Sequence, residues 1–138
     1  MTPELTDEQK IATGREMAAA WKALDWRKVA EMFAPDGVLH SMMVEPVVGR
    51  EAVYRRVSGL ADGLESITLS YRHIGVIDGI LYIERLDEFV VRGKSGSAPV
   101  VGVLEFEGPL IKVWREYYDR AHLLKAMGLI EDFDSKTR

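Results

Sequence analysis

The 138-residue chain has no cysteine, which excludes disulfides, thiolate nucleophiles, zinc–cysteine sites, iron–sulfur clusters and thiol redox chemistry together. Its three histidines, His40, His73 and His122, stand too far apart for a helical H-x-x-x-H pair, so a metal site is not expected. No apolar run approaches the ~20 residues of a membrane span. The segment from Met1 to Glu8 is acidic and polar, where an export signal needs a basic start and an apolar run, so a cytoplasmic location is the simplest expectation. Positive charge is also scarce. Lys and Arg number 18 against 22 Asp and Glu, for a net charge of −4, and only Arg50, Arg55 and Arg56 come near a cluster. Nucleic acid is therefore not an expected partner.

What is present is apolar: 47% of the residues are hydrophobic, and a chain of this length buries roughly 65–70% of its unfolded surface, enough for one real core. One domain over residues 1–138 is expected, with 131–138 as a flexible tail. Thr6, followed by acids and by Gln9 in the capping-box position, opens a helix to about Leu24. Asp25 caps a short second helix containing Trp26, Val29, Ala30, Met32 and Phe33, which Pro35, Asp36 and Gly37 end. A strand starts at Gly37 and dissolves near Pro46, and a third helix runs from Gly49 to about Leu60.

From Ile67 the period changes from helical to alternating. Two long strands flank Asp78-Gly79, a strong hairpin signal. Gly93 to Pro99 reads as a loop, Val100 to Phe106 as a strand, Gly108-Pro109 as a turn, and Leu110 to Asp119 as another strand. Helices followed by three consecutive hairpins predict an α+β domain with a curved, mostly antiparallel sheet. Closed on its concave side by the N-terminal helices, such a sheet encloses an apolar cavity suited to a small molecule.

Charge interrupts two of these strands. Around Glu84-Arg85-Leu86-Asp87-Glu88, period two puts Arg85 and Asp87 on one face with Ile83 and Phe89. They form either a cross-strand ion pair on a solvated face or a charged pair inside the cavity. In Trp114-Arg-Glu-Tyr-Tyr-Asp119 the same parity groups Arg115, Tyr117 and Asp119. Two aspartates sharing one guanidinium unequally can hold opposite protonation states, one as base and one as acid. His73 and His122 read as a cross-strand partner and a helix-surface residue. Met17, Trp21 and Trp26 read as packing residues, with Met17 and Trp21 also able to line the cavity. Trp114, opposite in phase to Asp119, is assigned with Tyr118 to the outer face and a partner subunit.

The phrase Tyr82-Ile-Glu-Arg-Leu-Asp87, preceded by His73-Ile-Gly and Asp78-Gly79 and followed by Trp114-Arg-Glu-Tyr-Tyr-Asp119, resembles the limonene-1,2-epoxide hydrolase family. That family lies within the nuclear-transport-factor-2-like (ketosteroid-isomerase-like, SnoaL-like) cone fold, and the resemblance spans nearly the whole chain. It implies a cofactor-independent epoxide hydrolase acting on a hydrophobic small molecule, and a homodimer. Asp119 would activate water, Asp87 would protonate the epoxide oxygen, and Arg85 would bridge them.

The family fixes that water with a tyrosine and an asparagine. Leu39 and Ser41 stand at those positions, which leaves the water to Ser41 or to a bulged His40. Family position and strand phase select Met17, Trp21, Leu39, Leu60, Phe89, Val101 and Val103 as pocket residues. The alternatives are an isomerase or cyclase of polyketide or terpenoid substrates, which would exclude water, and a non-catalytic ligand-binding cone.

Overall fold

The computed structural model describes residues 3–60 and 62–129; the expected tail at 131–138 lies outside them. The chain opens with α1 (Asp7–Lys22), where Thr6 and Gln9 close a reciprocal capping box. Asp25 then accepts from Lys28 N–H at 3.1 Å and starts α2 (Trp26–Glu31). Strand β1 (Phe33–Ser41) and the short β2 (Val47–Val48) precede α3 (Arg50–Gly59). Three hairpins follow, through β3 (Leu64–Ile77), β4 (Ile80–Val91), β5 (Lys94–Glu107) and β6 (Leu110–Tyr117), and then α4 (Arg120–Ala126).

The strands form one sheet in the order β2-β1-β6-β5-β4-β3, antiparallel except for the parallel pair β1–β6. This is the curved α+β architecture that the strand pattern predicts. Helix α1 packs on β3 and β4, α3 on β1, and α4 on β5. The core between them is aromatic. The Trp21 ring meets Trp26 edge-on at 5.0 Å and Trp114 at 6.4 Å, and Phe33 stacks on Trp114 at 6.1 Å. Trp114 is 1% exposed, so it belongs to the core and not to the outer face assigned from parity. Among the described residues no helix is long and apolar enough to cross a membrane.

Two segments differ from the sequence reading. Pro35-Asp36-Gly37 is not where the second helix stops and the strand begins, since α2 ends at Glu31. The chain is already in β1 at Phe33, and the residues lie within a register shift between Phe33 and Val38. Long-range partners pull it into the sheet: Ile111 N–H donates to Met32 O at 2.9 Å, and the Arg50 guanidinium donates twice to Phe33 O at 2.7 and 3.0 Å.

The second difference is the expected loop at 93–99. It is strand, because β4 and β5 are joined by a two-residue turn, Arg92 and Gly93, both with positive φ. The small residues of this stretch pair with β4 from Lys94 onward. Gly96 leaves room for α4, since a Cβ there would lie 2.6 Å from Ala126 O and 2.8 Å from the Phe89 ring. Pro99 is tolerated because β6 pairing begins only at Val101.

Candidate active site

The ladder register decides which side chains meet. Ile83 pairs with Gly102, Gly102 with Glu116, and Glu116 with Ser41, so one transverse row crosses β4, β5, β6 and β1. Arg85 lies two residues along β4 from Ile83 and therefore points to the same face. Gly102 has no side chain to block it, and the guanidinium leans across β5 to the carboxylate on β6. Its Nη1 donates to Glu116 Oε2 at 3.0 Å and Nη2 donates to Glu116 Oε1. The same group holds Asp87, with Nε on Oδ1 at 2.7 Å and Nη2 on Oδ2 at 3.1 Å. It also sits 5.6 Å over the Trp114 ring.

All three groups are nearly dry, with side-chain exposures of 3% for Arg85, 14% for Asp87 and 12% for Glu116. They form part of the lining of a cavity of about 100 Å³, room for several waters or a small ligand group. The rest of the wall is mostly apolar and includes Val57, Leu60, Leu69, Val100, Leu123 and Met127. Burial disfavours the Arg85 charge, but Glu116 and Asp87 together outweigh it and hold the guanidinium's pKa well above its ordinary value. Burial raises the Glu116 pKa; the Arg85 charge and hydrogen bonds pull it down without cancelling that effect, and Asp87 adds to the rise. The result is one fixed cation between two carboxylates, of which Glu116 is more basic than an ordinary glutamate. Nearby, burial pushes the Tyr71 hydroxyl up to about 12, and it donates to Gly14 O at 2.6 Å, tying α1 to β3.

The residues singled out from sequence divide between this cavity and other places. Arg85, Asp87, Ser41, Trp21, Leu39, Leu60 and Phe89 all line it. Asp119 does not reach Arg85. It follows the end of β6, is exposed, and accepts from His122 N–H at 3.0 Å as the N-cap of α4. The second acid on the guanidinium is Glu116. Strand parity was applied to Asp119 beyond Tyr117, where β6 has ended and parity no longer holds.

His40 lies on a regular stretch of β1 paired with Arg115, away from the shift at 33–38. With no bulge to turn it, it faces away from Ser41, and its Nε2 bonds Val44 O at 3.1 Å. Met17 is buried in the core at 0% exposure, apart from the cavity lining. Val101 is 38% exposed and Val103 pairs with Tyr82 and Arg115, so both lie on the opposite face of β5. Val100 takes the inward position. The run Val100-Val-Gly-Val-Leu is apolar in both phases, and only pairing with β4 separates them. His73 forms an exposed pair with Glu84 at 2.7 Å, and His122 bonds Ser97 O at 2.9 Å.

Sequence reasoning missed Glu116, Tyr118 and Gly102. The signal for Glu116 was Trp114: a tryptophan two residues earlier on the same strand, once assigned to the core, carries Glu116 inward with it. A glycine in mid-strand between valines marked a close approach at 102. Tyr118, in phase with Trp114 and read with it as an outer-face residue, stands one residue past the end of β6 and lines the cavity instead. Its hydroxyl donates to Ser41 Oγ at 3.1 Å.

Many solved structures share this architecture. An LEH-like epoxide hydrolase of M. tuberculosis superposes with a TM-score of 0.77 at 18% identity, covering 88% of this chain and 90% of its own. A hypothetical protein with a ketosteroid isomerase-like fold from Catenulispora acidiphila DSM 44928, solved in complex with trimethylamine, gives a TM-score of 0.74 at 22% identity, covering 94% and 95%. At these identities the likeness is one of fold. The family model for the SnoaL-like domain matches residues 15–114. With that match over most of the sheet and helices and with the curved sheet closed over a charged cavity, the chain belongs to the SnoaL-like domain family.

Proposed function

We propose that the protein is a cofactor-independent epoxide hydrolase acting on a hydrophobic small molecule. The observation that carries this reading is the buried Arg85 holding Asp87 and Glu116 side by side in the wall of an apolar cavity. Glu116 takes a proton from water as the water oxygen bonds to an epoxide carbon. The carbon–oxygen bond of the ring breaks, and Asp87 delivers its proton to the departing oxygen, giving a diol. A later exchange with solvent returns each carboxyl group to its starting state. Arg85 keeps the two groups in register, and ring strain supplies much of the driving force, so positioning is the main task.

The test is diol formation over a panel of terpenoid, cyclic and styrene-type epoxides in oxygen-18 water. The wild type should place one labelled oxygen in the product. Glu116→Gln should lose at least about 100-fold in kcat/KM, as loss of a positioned base does, while Asp119→Asn keeps most of its activity. Full activity in Glu116→Gln would overturn the mechanism.

An isomerase or cyclase using the same acid–base pair is favoured by one observation: Leu39, which cannot hold water, lines the cavity. Product formed without solvent label identifies that reaction. Tight ligand binding without turnover, unchanged by Glu116→Gln, identifies a non-catalytic cone. We also read the chain as a homodimer, supported by Val101 at 38% and Tyr117 at 45% exposure on the outer sheet face; sedimentation equilibrium decides it.

A further inference from the structure

Around Ser41 the hydrogen bonds run in one direction. Arg120, 5% exposed, donates from Nη1 to the Tyr118 hydroxyl at 2.5 Å, and Tyr118 donates to Ser41 Oγ at 3.1 Å. A guanidinium has no acceptor, so the Tyr118 proton cannot point back toward it and is committed to Ser41. Ser41 Oγ thus receives one hydrogen bond and keeps its own proton to donate. Ser41 is the register partner of Glu116 on the parallel β1–β6 ladder, and both side chains line the cavity. A chain of hydrogen bonds headed by a buried cation polarises each link in turn and makes the terminal O–H a stronger and better-aimed donor.

We propose that Tyr118, pinned by Arg120, aims the Ser41 hydroxyl into the cavity, where it and the Glu116 carboxylate together hold the attacking water. Tyr118 is then a positioning residue, acting through Ser41. It stands one residue past β6 and two before Arg120, the first residue of α4. The Asp119 cap on His122 N–H fixes where α4 begins and with it the position of Arg120. The aspartate of the Trp114-to-Asp119 phrase therefore bears on the site through the backbone. Hydroxyls of Ser41 and Tyr118 supply the polar surface that Leu39, in the same wall, does not.

This inference rests on the hydrolase reading for the identity of the held molecule, so the experiment carries a readout independent of turnover. Crystals of the whole protein and of Tyr118→Phe, which keeps the ring and removes only the hydroxyl, are compared at a resolution that shows ordered water. The wild type should hold a water bonded to both Ser41 Oγ and a Glu116 oxygen, and Tyr118→Phe should lose it with the fold intact. In steady-state kinetics Tyr118→Phe should lower kcat by about 10- to 100-fold, the range for a lost positioning donor, with KM changed less than about twofold.

Ser41→Ala should match that loss and the double variant should be no worse, because the two act as a unit. Ser41→Thr, which keeps a hydroxyl, should recover most of the rate. Absence of the bridging water in the wild type overturns the proposal, as does its persistence in Tyr118→Phe or an unchanged kcat. If no epoxide is turned over, the hydrolase reading fails, and the water comparison still decides the role of Tyr118.

Discussion

Replacing Gly102 with alanine tests whether the carboxylate–arginine–carboxylate bridge depends on an empty position in β5. A Cβ at 102 would lie 2.7 Å from Arg85 Nη1, 3.0 Å from Glu116 Oε2 and 3.1 Å from Trp114 Nε1. Ordinary contact begins near 3.4 Å, so the guanidinium would have to retreat by about 0.7 Å. It cannot do so freely, because Asp87 and Glu116 grip it from both sides and Trp114 lies beneath. Overpacking of this kind costs about 1–3 kcal/mol. The loss of unfolded-chain freedom on Gly→Ala works the other way by about 0.4–1 kcal/mol. The net expectation is about 1–2 kcal/mol of destabilisation, or roughly 3–10 °C in Tm for a domain of this size.

Turnover should fall further than stability, since a displacement approaching 1 Å at a catalytic group costs up to about 100-fold. Calorimetry and kcat/KM on the folded variant measure the two effects separately. Gly75 on β3 is the internal control: it too is a strand glycine without positive φ, and a Cβ there would meet nothing within 4 Å. Gly75→Ala should be neutral or slightly stabilising. If Gly102→Ala matches it in both Tm and activity, the steric argument for the bridge is wrong.

Three further outcomes follow from the same geometry. Arg85→Met leaves two buried carboxylates without their cation and should cost about 3–5 kcal/mol at neutral pH, a deficit that shrinks as falling pH protonates Glu116, whose pKa burial raises; urea unfolding at pH 7 and pH 5 checks both, and a pH-independent deficit contradicts it. The folded-state pKa of Glu116 lies above its ordinary 4.5, so between those values the folded protein binds more protons than the unfolded chain, and this contribution to stability declines as pH rises through the window. Stability of the wild type minus that of Glu116→Gln, followed over pH, should show that decline, and a rise would reverse the assignment. Asp119→Asn should retain the α4 cap and the wild-type Tm within a degree or so, whereas Asp119→Ala should lose about 1 kcal/mol; thermal unfolding of the pair separates capping from catalysis.

Local chemistry made much of this protein legible without a structure. Thr6 with Gln9, Asp25 before Trp26, and Asp78-Gly79 each act through neighbours within a few residues, so the helix starts and the first hairpin could be read directly. Period two within β4 was enough to put Arg85 and Asp87 on one face with Ile83 and Phe89. The lack of cysteine and of spaced histidines had already narrowed the catalytic candidates to carboxylates and arginine.

What the sequence left open was everything set by register between strands. The partner of Arg85 depends on Gly102 standing opposite Glu116, a pairing made between strands whose order and stagger no local pattern encodes. Val100 and Val101 are equally apolar, and only the β4 ladder turns one into the cavity and the other outward. Parity carried past Tyr117 kept Asp119 in the strand and the resemblance put it in the site; β6 ends before it, so it caps α4, and the carboxylate that reaches Arg85 is that of Glu116. The sequence by itself determined the elements and the kind of chemistry they carry, because those follow from short-range forces. Tertiary structure alone decided which two acids share the guanidinium, because that depends on how three strands align across the sheet.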